Sequence, residues 1–205
     1  MQYIVSAAIG YLIGTINVAY LIAKRQKVDL KSEGSKNLGA SNATMVLGAK
    51  AGLVTALTDI FKGVIAILII RILFRESTLL PVITGVFCVL GHIFPFYLKF
   101  KGGKGFATFV GLMFGVSWKG AVIVGLALLI FAFLSNYIVV GTMTAILGFP
   151  VYLFIENKNI YQILWMIPLI VLIIFLHRDN LKRIMSGTEF KLRTELLKGI
   201  KKSRK

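Results

Sequence analysis

The stretch GHIFPFYLKFKGGKG, residues 91–105, runs out of one long apolar segment and ends where the next begins. Glycines let backbone N–H groups come close to an anion, a following helix start adds the positive end of its dipole, and lysines bring point charge. A loop of this kind suits phosphate held at a membrane surface, with Lys101, Gly102, Gly103, Lys104 and Gly105 as its candidate ligands. It is not a P-loop. Leu98 stands where GxxxxGK[ST] requires glycine, and Lys104 is followed by Gly105 rather than Ser or Thr. Read blandly, the same run is a basic turn between two membrane helices.

The composition on either side sets the fold class. Hydrophobic residues make up 57% of the 205 positions and the mean hydropathy is +0.83. Apolar runs of bilayer-spanning length recur along the chain, which describes an all-α, polytopic integral membrane protein. The net charge of +16 comes from 24 Lys and Arg against 8 Asp and Glu, and the loops must carry nearly all of it. A basic, anion-facing surface follows, and anionic head groups explain it better than nucleic acid, which is not expected as a partner. Cys88, the only cysteine, lies inside an apolar run, so no internal disulfide forms. The first apolar run has neither a basic leader nor an Ala-x-Ala site and reads as a retained helix.

Hydropathy predicts seven spans, at Tyr3–Ala23, Gly52–Leu73, Leu79–Leu98, Phe106–Val116, Gly120–Phe133, Ile138–Ile155 and Tyr161–Leu176. The fourth and fifth are short of the about 20 residues that cross a bilayer. Residues 105–135 read as two helices rather than one long or re-entrant element because Trp118 and Lys119 make an interfacial break. With seven spans, 19 of the 24 cations fall on one side, ten of them in a tail from about 177. The positive-inside rule then puts the C-terminus in the cytoplasm and the N-terminus outside, in a single membrane domain over 1–205.

This topology gathers three polar loops at the cytoplasmic face. The first, GSKNLGASN at 34–42, offers Gly34, Ser35, Asn37, Gly39, Ser41 and Asn42 as amide and side-chain donors to phosphate. Its plainer reading is a linker that caps a helix at Ser41 or Asn42. The Lys-Gly loop is the second. The third, HRDNLKR at 177–183 followed by Gly187-Thr188-Glu189, ends the last span. Lys182 and Arg183 suit a helix-end anchor, but His177 and Asn180 do not, and their i, i+3 spacing puts them on one helix face. Inside a span, Asp59 and Lys62 stand at helical spacing, as a structural ion pair or as part of a pocket. His92 beside Pro95 reads as a helix-terminal or site residue. Gly10 with Gly14, and Gly111 with Gly115, have the small-xxx-small spacing of close helix packing.

Together, GSKNLGASN, GHIFPFYLKFKGGKGFAT, HRDNLKRIMSGTE and the intramembrane DIFKG at 59–63 resemble the bacterial acyl-phosphate:glycerol-3-phosphate acyltransferases of the PlsY type, nearly end to end. The resemblance implies a multi-pass enzyme of the bacterial plasma membrane with its site facing the cytoplasm. It would move a fatty acyl group from acyl phosphate to the 1-hydroxyl of glycerol 3-phosphate, giving lysophosphatidic acid and phosphate. Lys36 and Leu38 stand where the first motif more often has glycine and proline, and Met45 where arginine is expected. Asn136 and Val139 replace a more usual basic residue and serine.

The residues make chemical sense of that reaction. Both substrates carry phosphate, so two anion sites must lie side by side, while the acyl chain reaches in between helices. Acyl phosphate is already activated, so the enzyme has to position a hydroxyl and steady developing oxyanion charge. No cofactor or metal is expected. The HxxxxD pair of acyl-CoA acyltransferases is missing, since Tyr97 stands five places after His92 and Lys182 five places after His177. Ser35 and the first-loop amides fit oxyanion or phosphate binding, Lys104 the other phosphate, and His177 with Asn180 the glycerol 3-phosphate hydroxyl. The proton goes to His177 or to a substrate phosphate oxygen. Arg178 and Glu189 flank this group. The competing class is a transporter or flippase for anionic lipids or phosphorylated solutes, with Asp59 and Lys62 as a midplane gate; the one-sided polar groups and the want of an inverted repeat count against it.

Overall fold

The computed structural model describes residues 1–193, so tail cations from Lys198 onward lie outside the described residues. Among the described residues there are ten α-helices, one short 3₁₀ turn at Phe96–Leu98 and no strand. The helices are α1 Gln2–Thr15, α2 Val18–Arg25, α3 Ala40–Leu47, α4 Ala49–Leu73, α5 Leu80–Ile93, α6 Phe106–Val116, α7 Trp118–Ser135, α8 Ile138–Asn157, α9 Ile160–Leu176 and α10 Arg178–Met185. Five stretches are long and apolar enough to cross a membrane: Gln2–Arg25, Ala49–Leu73, Leu80–Leu98, Trp118–Ser135 and Ile138–Asn157. α9, apolar and 17 residues long, passes the same test only together with α10, from which it is bent by 48°, and α6 is a shorter apolar helix.

Four helix ends differ from the sequence reading, three from the hydropathy and one from the capping residue. The first span is broken at Ile16 and Asn17, where the Asn17 side chain accepts the Tyr20 N–H at 2.8 Å and restarts the chain as α2. Within the third, which still reaches Leu98, the α-helix ends at Ile93, because a residue before proline is disfavoured in the α conformation, and Phe94 leaves it at φ −121°, ψ 58°. The α6/α7 break falls at Ser117, whose hydroxyl accepts the Gly120 N–H at 3.2 Å, so Trp118 and Lys119 open α7 and lengthen it to 18 residues. α3 is capped by Gly39 in extended conformation, with Ser41 and Asn42 already inside its first turn.

Packing follows the small residues. A methyl group on Gly10 would stand 2.3 Å from the Thr84 carbonyl oxygen and one on Gly14 2.1 Å from that of Cys88, so α1 lies backbone to backbone on α5. Gly111 gives α6 the same intimacy with α4, at 2.1 Å from the Ile60 oxygen. The main core joins α4 to α9 through Ile67, Val86, Phe109, Leu112, Phe149 and Leu169. A second, smaller core of Ala19, Ala23, Leu30, Leu38, Ala43 and Leu98 underlies the polar loops. Leu98 carries the second loop into the first one's core, and the Lys31 ammonium donates to the Leu98 carbonyl at 3.1 Å.

Candidate active site

Each polar loop is organised by a few committed hydrogen bonds. In the first, Asn42 is fully buried, its Oδ1 accepts the Ser35 N–H at 2.7 Å, and its Nδ2 donates to the Leu30 and Glu33 carbonyls at 3.0 and 3.1 Å. Both amide hydrogens are therefore spent, and Asn42 fastens the loop rather than donating to phosphate. Gly34, at φ +58°, passes so close to Asn42 that a methyl group there would lie 2.3 Å from Oδ1. Ser35 and Ser41 are exposed and Asn37 half-buried beside Gly39. The backbone of Lys36 is left-handed, φ +55°, a conformation that glycine adopts without strain.

In the second loop the glycine amides do something other than expected. The Gly102 N–H donates to the Ile93 carbonyl at 2.9 Å and the Gly103 N–H to that of His92 at 3.1 Å, so neither is available to phosphate. Gly105, φ +87°, caps α6, and Lys101 is exposed. The Lys104 ammonium, half-buried, donates to Asn180 Oδ1 of the third loop. Burial, and behind it the Arg183 guanidinium, pull Lys104 below the usual lysine range.

The third loop begins at the bend after α9. His177 is buried, and its Nδ1 lies 2.9 Å from the Ile173 carbonyl. A carbonyl only accepts, so Nδ1 carries the hydrogen and Nε2 is left as a lone-pair base. Burial, assisted by the Lys104 charge, lowers the His177 pKa below that of a free imidazole, against the pull of the Ile173 bond. The Asn180 Nδ2 donates to Glu189 Oε1 at 2.8 Å, and Arg183 Nε donates to Glu189 Oε2 at 2.6 Å. Arg183, which reads in sequence as an anchor, thus belongs to this network; its partner six residues on is the signal that the reading passed over. Arg178 points elsewhere, donating to the Phe175 carbonyl at 3.0 Å with its guanidinium 4.1 Å from the Phe175 ring centroid.

Asp59, Lys62 and His92 form one buried cluster. The Lys62 ammonium donates to Asp59 Oδ1 at 2.7 Å, to His92 Nδ1 at 2.8 Å and to the Ile16 carbonyl at 2.7 Å. The sequence pairs Asp59 with Lys62 by spacing, but His92 and the broken first helix join them only in three dimensions. Asn136, the left-handed end of α7 at φ 68°, accepts the Arg193 N–H at 2.7 Å, and Val139 is buried in α8, while Met45 is exposed on α3.

What this arrangement offers is a cation held at an asparagine, an acid–guanidinium pair behind it, and a buried imidazole whose Nε2 has no hydrogen-bond partner among the described residues. The chain is similar to known proteins over nearly its whole length. The glycerol-3-phosphate acyltransferase family model matches residues 4–187. A relative from Bacillus anthracis, glycerol-3-phosphate acyltransferase 2, is 42% identical over 192 residues, covering 92% of this chain and 98% of that one. A glycerol-3-phosphate acyltransferase from Thermoanaerobacter pseudethanolicus is 38% identical over 94% of this chain and 96% of its own. The crystal structure of PlsY, an integral membrane glycerol 3-phosphate acyltransferase in its glycerol 3-phosphate form, superposes with a TM-score of 0.87 at 35% identity over 96% of this chain and 99% of that one. This multi-pass membrane protein belongs to the glycerol-3-phosphate acyltransferase family.

Proposed function

We propose that the protein transfers a fatty acyl group from acyl phosphate to the 1-hydroxyl of glycerol 3-phosphate, in the plasma membrane of a bacterium and from its cytoplasmic side. The observation that carries the reading is the Lys104–Asn180–Glu189 relay beside His177, which puts a cation and a base at the end of an apolar bundle. The hydroxyl oxygen attacks the acyl carbonyl carbon, the bond from that carbon to the phosphate oxygen breaks, and inorganic phosphate leaves. His177 Nε2 takes the hydroxyl proton, a role that a free nitrogen and a depressed pKa favour at neutral pH. Lys104 steadies a substrate phosphate; the Ser35 hydroxyl, with Asn37, Gly39 and Ser41 of the same loop, serves the second anion. No covalent acyl-enzyme is needed, because phosphate is already a competent leaving group.

Read as seven crossings, with the short α6 as the fourth, the chain would bring all three loops to one side. The excess of basic residues there makes that side cytoplasmic. The test is lysophosphatidic acid formation and phosphate release by the purified protein given acyl phosphate and glycerol 3-phosphate, with acyl-CoA as a parallel donor. Product from acyl phosphate alone is expected. Product from acyl-CoA at an equal rate overturns the donor assignment, and none from either overturns the activity.

A further inference from the structure

We infer that the buried Lys62 ammonium is a positioning group for Lys104, acting through His92 and Gly103. An ammonium has three hydrogens and no lone pair, and Lys62 has three acceptors, Ile16 O, Asp59 Oδ1 and His92 Nδ1, all within 2.8 Å. Its claim on His92 Nδ1 is closer than that of Asp59, 3.2 Å away, so Nδ1 accepts and the ring hydrogen sits on Nε2. That Nε2 faces the second loop: a methyl group on Gly103 would stand 2.0 Å from it. The same loop is tied to this helix end by the bonds from Gly102 N–H to Ile93 and Gly103 N–H to His92. Lys104 is the next residue, and it reaches Asn180. A continuous series of contacts therefore runs from Lys62 through the imidazole and the loop backbone to the cation of the site.

A buried ammonium needs a third acceptor in any case, but a purely structural ion pair does not need that acceptor to be a ring with a glycine of the second loop laid against it. Here the ammonium sets the imidazole's tautomer and rotation, and the imidazole is the surface against which Gly103, the residue before Lys104, rests. Asp59, 2% exposed, supplies the counter-charge beside the Lys62 ammonium. The inference rests on the proposed role of Lys104, but it makes a claim about the position of that side chain that turnover alone does not decide.

Lys62→Met alone leaves Asp59 buried and uncompensated and endangers folding. The informative variant is Asp59→Leu with Lys62→Met, which removes both charges together. Its turnover is expected to fall by about 100-fold, the scale of an ångström-sized misplacement. Placed in a Lys104→Ala background, the same pair should cost less than about threefold more, since residues acting as a unit are not additive. Independently of activity, reductive methylation of Lys104, followed by peptide mass spectrometry in detergent, should be faster in the pair variant by about tenfold, because the ammonium is released from its partner. A monodisperse pair variant with wild-type turnover, losses that multiply with Lys104→Ala, or an unchanged methylation rate overturns the inference. If the wild-type protein makes no product, the function fails, and the methylation rates still decide the position of Lys104.

Discussion

The Asn180 amide donates to Glu189 Oε1 at 2.8 Å, and this orients its oxygen toward the Lys104 ammonium. An amide free to turn over would present its NH₂ to the lysine instead. Glu189→Gln removes both the ionic hold of Arg183 and the unambiguous acceptor for Asn180. Hydrogen bonds to charged groups contribute about 1.5–3 kcal/mol, so kcat/KM is expected to fall by about 10- to 100-fold. Asn180→Ala should match it. Steady-state kinetics on protein of unchanged melting temperature checks both.

The pH profile follows from two shifts of known sign. Burial lowers His177, so its neutral form persists below the usual imidazole range, and the acid limb of kcat/KM should lie below that range. Lys104 is also lowered, so its charge is lost sooner as pH rises, and the KM for the phosphate it holds should climb on the alkaline side earlier than a free lysine would allow. In Lys104→Gln one of the charges depressing His177 is gone, and the acid limb moves to higher pH. A limb that stays put in that variant counts against His177 as the titrating base.

Asn42 and Ser35 should separate stability from turnover. Asn42→Ala strands the Leu30 and Glu33 carbonyls and the Ser35 N–H, at a cost of about 3 kcal/mol in unfolding free energy. Asn42→Asp does not rescue it, having no hydrogens to donate. Ser35→Ala touches an exposed hydroxyl, so its melting temperature should hold while turnover drops. Thermal unfolding in detergent beside the activity assay distinguishes the two.

Gly111→Ala tests the packing far from the loops. Its methyl would meet the Ile60 carbonyl oxygen at 2.1 Å, forcing α6 from α4 at a cost of about 1–3 kcal/mol. A lowered melting temperature is expected, with Gly125→Ala, where a methyl meets nothing within 4 Å, as the neutral control.

Helix class, loop clustering and the close glycine contacts are legible in the sequence because they follow from local composition and spacing. Gly10, Gly14 and Gly111 announce their contacts through period alone. The commitments of donors are not legible. That Asn42 and the Gly102 and Gly103 amides serve their own chain, while Lys104 reaches a residue 76 positions away, depends on which carbonyls the fold brings within reach. The split of the first helix had a signal in Asn17, a good helix cap, but an apolar window averages over one polar residue.

That split bears on assembly. At Thr15 and Ile16 two carbonyls are turned out of the helical ladder, and they are met only by the Tyr97 hydroxyl at 2.8 Å and the Lys62 ammonium at 2.7 Å, groups synthesised tens of residues later. Unpaired carbonyls in hydrocarbon cost several kcal/mol each, so the split first helix depends on Lys62 of α4 and Tyr97 of the second loop and belongs to the assembled bundle rather than to the first segment alone.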